Sequence, residues 1–310
     1  MAVWGGGGAN TWREAFIKQF SPGNGSTIKM VEVPNPAGAL RSPAAAGQYS
    51  LALVTYFEAI ALSNAGLIES FDDKQLPGIA DVDPKYLTRD KAGRHVGLPV
   101  YFTYYGIAYN TDLAKAEDFA SWQGLADPKW KGKLSLTRPV YLAPYDAVIM
   151  AKAMGGSEKD IGPGFAALKK IAPGVVEWPT TFARMGQFLQ DETAAMGFYS
   201  AASAAEMEKR GIPVKHVVAK PLLFTGTAIG IMKNAPNPEG ARVFLNWWIS
   251  KEVQAYRAER YGNVVMNTEV TTNKFPVAAL AEMQRIDYAL VNAKRAEWIA
   301  TFEREVLPLK

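Results

Sequence analysis

The sequence has no cysteine among its 310 residues and contains only two histidines, His95 and His216. The absence of cysteine excludes disulfide bonds, thiolate nucleophiles and metal or iron–sulfur sites built on cysteine. Neither histidine has a second candidate ligand beside it in the sequence. We therefore expect neither a metal site nor a cofactor.

Long apolar runs and a strong charge surplus are also missing. No run approaches the ~18 to 20 residues that a membrane-spanning helix needs. The 34 basic and 30 acidic residues give a formal net charge of +4, and the basic residues are spread thinly along the chain. A nucleic-acid-binding surface needs basic residues in a cluster. The sequence predicts a soluble chain with no membrane insertion and no nucleic-acid partner.

The chain is rich enough in apolar residues, at 48%, to bury a sizeable core. At roughly 100 to 200 residues per domain, its length favours two lobes. Residues 49–56 are almost all apolar, as in a strand covered on both faces, and residues 58–65 follow with a helical pattern that stops at Gly66. This alternation recurs along the chain and predicts an α/β fold.

The carboxyl-terminal part has a different pattern, because helical periodicity dominates it. Asn237-Pro238 is a strong helix start, since Asn caps helices and Pro suits the first helical position. The predicted helices span residues 239–249, 252–260, 277–292 and 294–305. Long strands near Tyr101 and Thr225 are separated by a complete α/β unit, which predicts two crossings between lobes and a cleft at the hinge.

Three stretches, taken in order, resemble the extracellular solute-binding proteins of ABC importers, in the polyamine- and ferric-binding branch. They are residues 99–110, PVYFTYYGIAYN; residues 121–134, SWQGLADPKWKGKL; and residues 235–247, APNPEGARVFLNW. The resemblance covers nearly the whole chain from Val3 to about Asn267, and the remaining tail matches only in being helical.

The resemblance implies a two-lobe type II periplasmic-binding fold, with two mixed sheets flanked by helices and two hinge crossovers. The expected boundaries are residues 1–108 with 223–285 for lobe 1 and 109–222 with 286–310 for lobe 2, and the expected hinge lies near 101–110 and 222–230.

The resemblance also implies function. A periplasmic protein of this family captures a small organic solute and delivers it to the transmembrane subunits of an ABC permease, without catalysis and as a monomer. Export requires a signal peptide, and because the sequence opens directly on a strand-like segment, we expect that signal to have been removed. The rival hypothesis is an enzyme on the same scaffold, but the enzymes that this resemblance suggests use a cysteine nucleophile, which this chain lacks.

The solute class is predicted from the departures from the family pattern. Polyamine-binding members usually carry acidic residues after the first strand of the second lobe, where this chain has Leu136-Thr137-Arg138-Pro139. An unpaired buried cation is costly, so Arg138 disfavours a diammonium ligand. Its guanidinium instead suits a carboxylate or phosphonate. We expect an anionic or zwitterionic solute, such as an amino-acid-like compound, a carboxylate or a phosphonate. A polyamine such as putrescine or spermidine remains the alternative.

The candidate ligand-binding residues are polar or aromatic side chains near predicted strand ends, helix starts and crossovers. They are Trp4, Thr55, Tyr56, Glu58, Tyr104, Arg138, Tyr141, Tyr145, Asp146, Arg184, Tyr199 and Thr225. Glu58 and Asp146 are the possible partners of an amine. Structural alternatives stay open at this stage, because Glu58 also suits a helix first turn and Arg184 also suits a helix surface.

Overall fold

The computed structural model describes residues 1–5, 12–14, 19–20, 25–119, 121–139, 145–217, 219–261, 265–271 and 283–310. The strands are β1 Ala2–Trp4, β2 Val31–Val33, β3 Leu51–Thr55, β4 Ile68–Phe71, β5 His95–Val96, β6 Leu98–Asn110, β7 Leu134–Ser135, β8 Val175–Glu177, β9 Met196–Ser200, β10 Val214–Val217, β11 Leu222–Met232 and β12 Met283–Gln284. The helices are α1 Pro36–Ala39, α2 Tyr56–Asn64, α3 Tyr145–Ala153, α4 Gly162–Ile171, α5 Phe182–Gln190, α6 Ala201–Lys209, α7 Pro238–Ile249, α8 Lys251–Tyr261 and α9 Tyr288–Glu305. The predicted α/β class is confirmed.

The chain divides into two compact units. Unit 1 comprises Met1–Phe102 and Gly226–Val277, and unit 2 comprises Thr103–Thr225 and Ala278–Lys310. The chain passes from one unit to the other within β6 and again within β11. The hinge expected near residues 101–110 and 222–230 stays a prediction.

Unit 1 is built on a mixed sheet. Strand β1 pairs in parallel with β2 and β3, and β3 pairs antiparallel with the unit 1 part of β11, where Thr55 lies opposite Thr227. Residues Leu51–Val54 are buried, as the continuous apolar run predicts. Helix α2 then ends before Gly66, whose φ of 70° is the left-handed conformation that glycine adopts without strain.

Unit 2 also has a mixed sheet. Strand β9 pairs antiparallel with β6, and β10 pairs antiparallel with β6. Strand β7 is parallel to both β8 and β9, with Leu134 opposite Val175 and Met196. The carboxyl ends of these three parallel strands therefore meet at one edge of the sheet.

The prediction of a helix over residues 277–292 is wrong where the structure describes it. Met283–Gln284 instead forms strand β12, which pairs in parallel with Leu222 and Leu223. One uninterrupted helix, Tyr288–Glu305, then replaces the predicted break after Asn292. Within the described residues, no helix has both the length and the apolar composition to span a bilayer. The sequence also predicts a helix over residues 10–20, and most of that range lies outside the described residues.

Candidate functional site

In unit 1, candidate ligand-binding residues lie at the edge of the sheet where strands β1 and β3 end. We call such a sheet edge the candidate edge of its unit. Trp4, at the end of β1, is half-buried, and Thr55, at the end of β3, caps helix α2. The Thr55 hydroxyl accepts a hydrogen bond from the Glu58 amide at 3.2 Å. The Glu58 Oε2 in turn accepts hydrogen bonds from the Thr55 amide and hydroxyl, both at 2.9 Å. Thr55 and Glu58 therefore form a capping box, which gives both side chains a structural role.

Tyr56 belongs to the core of unit 1. It is 1% exposed, and its hydroxyl donates a hydrogen bond to the Tyr86 carbonyl at 2.7 Å. Its ring lies directly over Gly226, where a Cβ atom would come within 2.7 Å of it. The side chain predicted to face a ligand is thus held inside the unit by packing and by a hydrogen bond.

In unit 2, the candidate edge is the edge of the sheet where β7 ends. It contains a buried acidic residue. Asp146 lies in the first turn of α3 and is 3% exposed, and the equally buried Thr137 follows strand β7. The Thr137 hydroxyl donates a hydrogen bond to Oδ1 of Asp146 at 2.8 Å. This contact brings the start of α3 against the residues that follow β7.

The second oxygen of Asp146, Oδ2, is buried and has no hydrogen-bond partner. Burial raises the pKa of the Asp146 carboxyl to about 8, because the charged form loses its hydration. Hydrogen bonds from Thr137 favour the ionised form but only partly oppose this effect. Asp146 is therefore a neutral acid at pH 7 with one unused oxygen.

Arg138 follows Thr137 at the same edge, and its amide donates to the Pro179 carbonyl at 3.0 Å. Its guanidinium forms an ion pair with Glu303 of α9 at 2.6 Å, where the two side chains are 33% and 44% exposed. The Nε atom of Arg138 is buried and has no partner. The ion pair with Glu303 was not foreseen from the sequence, because the two residues are far apart in the chain.

Sequence reasoning also missed two polar groups beside this edge. Ser135 Oγ, in β7, and Trp178 Nε1, just after β8, are buried and without a hydrogen-bond partner. They are two of ten such side-chain atoms among the described residues. Its place between Leu134 and Leu136 was the sequence signal that could have singled out Ser135.

The other described candidate residues of unit 2 pair with, or pack against, residues of the same unit. Arg184 forms an ion pair with Glu177 at 3.2 Å, and its guanidinium lies 4.2 Å from the centre of the Phe188 ring. Tyr199 is buried in a core cluster with Met185 and Met207. Tyr145 is buried at the start of α3.

Three candidate residues have no described side-chain position. Tyr104 and Thr225 lie in strands β6 and β11, and Tyr141 falls outside the described residues. Their roles stay predictions.

The surroundings of the two histidines are those of residues that stabilise the fold. His95 pairs with Asp73 at 2.6 Å, and burial lowers the pKa of His216 to about 4. Within the ranges that the structure describes, no group of three or more histidine and acidic side chains is placed to hold a metal ion.

A cavity of about 380 Å³ in unit 1 lies at the opposite end of the sheet from the candidate edge. Met1, Ser50 and Leu51 line it, at the amino ends of β1 and β3. Ligands of open α/β sheets bind outside the carboxyl ends of strands, so this cavity is not part of the candidate site.

Comparison with known proteins places the chain among binding proteins. It matches the family described as bacterial extracellular solute-binding proteins over residues 15–284. A spermidine/putrescine-binding periplasmic protein of Haemophilus influenzae is 24% identical over 223 residues, covering 69% of this chain and 60% of that protein. A putative 2-aminoethylphosphonate-binding periplasmic protein of Salmonella typhimurium is 25% identical over 294 residues, covering 89% of this chain and 82% of that protein.

The fold comparison agrees. The crystal structure of an ABC transporter substrate-binding protein from Bradyrhizobium japonicum matches with a TM-score of 0.81 at 19% identity, covering 99% of this chain and 98% of that one. The expected periplasmic-binding fold is confirmed. The chain spans 60% of the length of the Haemophilus influenzae relative.

Proposed function

Because the chain belongs to the bacterial extracellular solute-binding proteins, we propose that it is the solute-capturing component of an ABC importer. In this role it binds a small organic solute outside the cytoplasm and presents it to the transmembrane subunits of a permease. The family binds solutes rather than transforming them, so the rival assignment as an enzyme on the same scaffold has no support from it. The proposed location is the periplasm.

The proposed solute is a zwitterion that carries an ammonium group and a phosphonate or carboxylate group. The observation that carries this assignment is a pair of unused groups at one edge of unit 2. Arg138 has a buried Nε donor without a partner, and Asp146 has a buried Oδ2 acceptor without a partner. A cationic donor and an acidic acceptor at the same strand end suit a solute with charges of both signs.

The ion pair between Arg138 and Glu303 is compatible with this proposal. A guanidinium has five N–H donors, and the contact with Glu303 uses the Nη2 nitrogen. A carboxylate or phosphonate that binds at Nε uses a further donor of the same guanidinium. The other candidate residues, Trp4 of unit 1 among them, stay predictions.

A polyamine is the second candidate, since the names of several relatives point to it. Asp146 would suit one ammonium group of a polyamine. Arg138 would repel the other ammonium group, because a like charge near a bound cation raises its free energy. The alignment with the relative named for 2-aminoethylphosphonate binding covers more of this chain, and that compound carries an ammonium group and an anionic phosphonate group.

Isothermal titration calorimetry tests the proposal with 2-aminoethylphosphonate, a linear amino acid, putrescine and spermidine. We expect binding of a zwitterion, and we expect Arg138→Ala to weaken it more than tenfold, which corresponds to about 1.4 kcal/mol. Arg304→Ala is the matched control, because Arg304 also pairs with a glutamate of α9 but is largely exposed. Tight binding of putrescine or spermidine, with no response to the zwitterions, would overturn the assignment.

A further inference from the structure

We propose that Glu303 of helix α9 is a positioning residue that determines the specificity of the candidate edge of unit 2 without touching the solute. Its carboxylate fixes the Arg138 guanidinium at one nitrogen and balances its charge, so that the edge favours a zwitterion over a simple anion. This inference rests on the proposed function, because it gives Arg138 the role of binding the solute's anionic group. It adds a residue that lies 165 positions away from Arg138 in the chain.

The first argument is the way in which α9 lies against the candidate edge. The Phe302 ring packs edge to face against Trp178, with ring centres 4.8 Å apart. The next residue, Glu303, accepts a hydrogen bond at Oε1 from Arg138 Nη2 at 2.6 Å. The Arg138 amide in turn donates to the carbonyl of Pro179, the residue after Trp178. The segments that follow β7 and β8 are therefore joined to each other and to one turn of α9.

The second argument is that the two contacts of α9 contribute differently. Phe302 and Trp178 are 1% and 5% exposed, so their contact removes apolar surface from water and holds the helix in place. The side chains of Arg138 and Glu303 are 33% and 44% exposed. An ion pair that is this accessible adds little to stability, because water screens its charges. The main effect of the ion pair is therefore on the orientation and charge of the guanidinium.

The third argument is the hydrogen bonding of the Arg138 guanidinium. Glu303 holds it at Nη2, whereas Nε is buried and has no hydrogen-bond partner. The N–H groups of a guanidinium form a rigid planar fork, so a contact at one nitrogen also fixes the direction of the others. The Nε donor is thus held in one orientation before the solute binds, which lowers the entropy that binding costs.

The fourth argument is the charge balance at the edge. Glu303 offsets the positive charge of Arg138, and Arg184, the other cationic candidate residue of unit 2, pairs with Glu177 at 3.2 Å. A guanidinium beside a carboxylate attracts a simple anion less than a guanidinium alone does, because the two charges partly cancel at the anion. A solute that also carries an ammonium group is repelled less by that carboxylate. The ion pair therefore favours a solute with charges of both signs.

The test compares the affinity of a zwitterion with that of the same molecule without its amine. The two pairs are 2-aminoethylphosphonate with ethylphosphonate, and 4-aminobutanoate with butanoate, each titrated by calorimetry. Glu303→Gln keeps an oxygen acceptor for Nη2 and removes the charge. We expect it to raise the affinity for the amine-free anion about threefold and to change the affinity for the zwitterion less. The affinity for the anion should also fall more steeply with added salt than in the wild-type protein.

Glu303→Ala separates the hydrogen bond from the charge. Alanine removes both, so the guanidinium is no longer held at Nη2. Both members of a solute pair should therefore bind more weakly to Glu303→Ala than to Glu303→Gln. Equal affinities in the two variants would contradict the positioning role.

Glu305→Gln is the matched control. Glu305 lies two residues further along α9, about 200° around the helix from Glu303, and pairs with Lys169 and Arg304. Its replacement removes the same charge from the same helix without contacting Arg138, so the ratio of the two affinities should stay at the wild-type value. Both glutamine variants should keep the thermal midpoint within about 3 °C of wild type. A much lower midpoint in Glu303→Gln alone would mean that the ion pair attaches α9, and the inference would be wrong.

The outcomes distinguish this inference from the proposed function. If a zwitterion binds and Arg138→Ala weakens it, but Glu303→Gln leaves the ratio of affinities unchanged, the inference is wrong and the proposed function stands. If only putrescine or spermidine binds, and Glu303→Gln weakens it about threefold while Glu305→Gln does not, the charge role of Glu303 stands and the zwitterion assignment is wrong. If no solute binds, or if Arg138→Ala changes no affinity, both are overturned.

Discussion

Glu58 of unit 1 and Asp146 of unit 2 occupy similar places in their units. Each lies in the first turn of a helix that follows a buried strand, and each is hydrogen-bonded to a threonine at the strand end. Glu58 is half-buried, and its Oε2 accepts both the amide and the hydroxyl of Thr55. Asp146 is buried, and its Oδ2 accepts nothing.

The difference arises from the distance in sequence between the threonine and the acid. In unit 1 the acid is three residues after the threonine, which is the spacing of a capping box, so local geometry uses its oxygens. In unit 2 the acid is nine residues after the threonine, and the contact depends on tertiary packing. The capping box accounts for the position of Glu58, whereas no local motif accounts for the buried Asp146 and its unused oxygen.

The largest expected effect concerns the stability of unit 2 as a function of pH. Between its ordinary pKa near 4 and the raised value of about 8, Asp146 holds a proton in the folded protein that the unfolded chain releases. Raising the pH in this window therefore favours unfolding, by about 1.4 kcal/mol per pH unit. From pH 5 to pH 8 the wild-type protein should lose roughly 4 kcal/mol of unfolding free energy relative to Asp146→Asn.

Urea unfolding of both proteins at several pH values measures this difference. Glu58→Gln provides the contrast from unit 1, because glutamine keeps the capping box, and its unfolding free energy should stay within about 0.5 kcal/mol of wild type. If the difference in unfolding free energy between wild type and Asp146→Asn does not change with pH, then Asp146 and Glu58 do not differ in how they couple stability to pH.

The local sequence pattern was sufficient to predict strand β3 and helix α2 of unit 1. The apolar run that ends at Thr55 and the glycine at 66 predict strand β3 and helix α2 to within two residues, because both signals act on neighbouring residues. The predicted helix over 277–292 fails at Met283–Gln284, where pairing with β11 overrides the local pattern.

The candidate site was only partly predictable for the same reason. Arg138 and Asp146 stand out in the sequence by charge and position, but the Glu303 partner of Arg138 and the unpaired Oδ2 of Asp146 depend on contacts between distant segments. Tyr56 and Tyr199 were expected at the site because they follow or end strands. Their rings instead pack inside their units, against glycines that the sequence did not connect with them.

These two tyrosines offer a second, smaller contrast between the units. A Cβ at Gly226 would lie 2.7 Å from ring atoms of Tyr56, and a Cβ at Gly186 would lie 2.7 Å from the Tyr199 hydroxyl. Gly226→Ala should cost about 1 to 3 kcal/mol of unfolding free energy, because the buried ring cannot move away. Gly186→Ala should cost less, since alanine favours the helix by up to about 1 kcal/mol. Equal shifts of the urea midpoint would contradict this ranking.

The smallest expected effect compares the threonine caps of the two units. Thr55 caps α2 within a capping box, whereas the Thr181 hydroxyl caps α5 by accepting only the Arg184 amide at 3.1 Å. Thr55→Ala should therefore destabilise the protein by about 1 kcal/mol, and Thr181→Ala by less. The Thr55 hydroxyl accepts from the Glu58 amide and also donates to Glu58 Oε2, and alanine loses both bonds. Thr55→Ser should restore most of the loss, since serine keeps the hydroxyl. Thermal unfolding of the three variants measures the order, and an equal loss in the two alanine variants would mean that the hydrogen bond from the Thr55 hydroxyl to Glu58 Oε2 adds nothing to the cap.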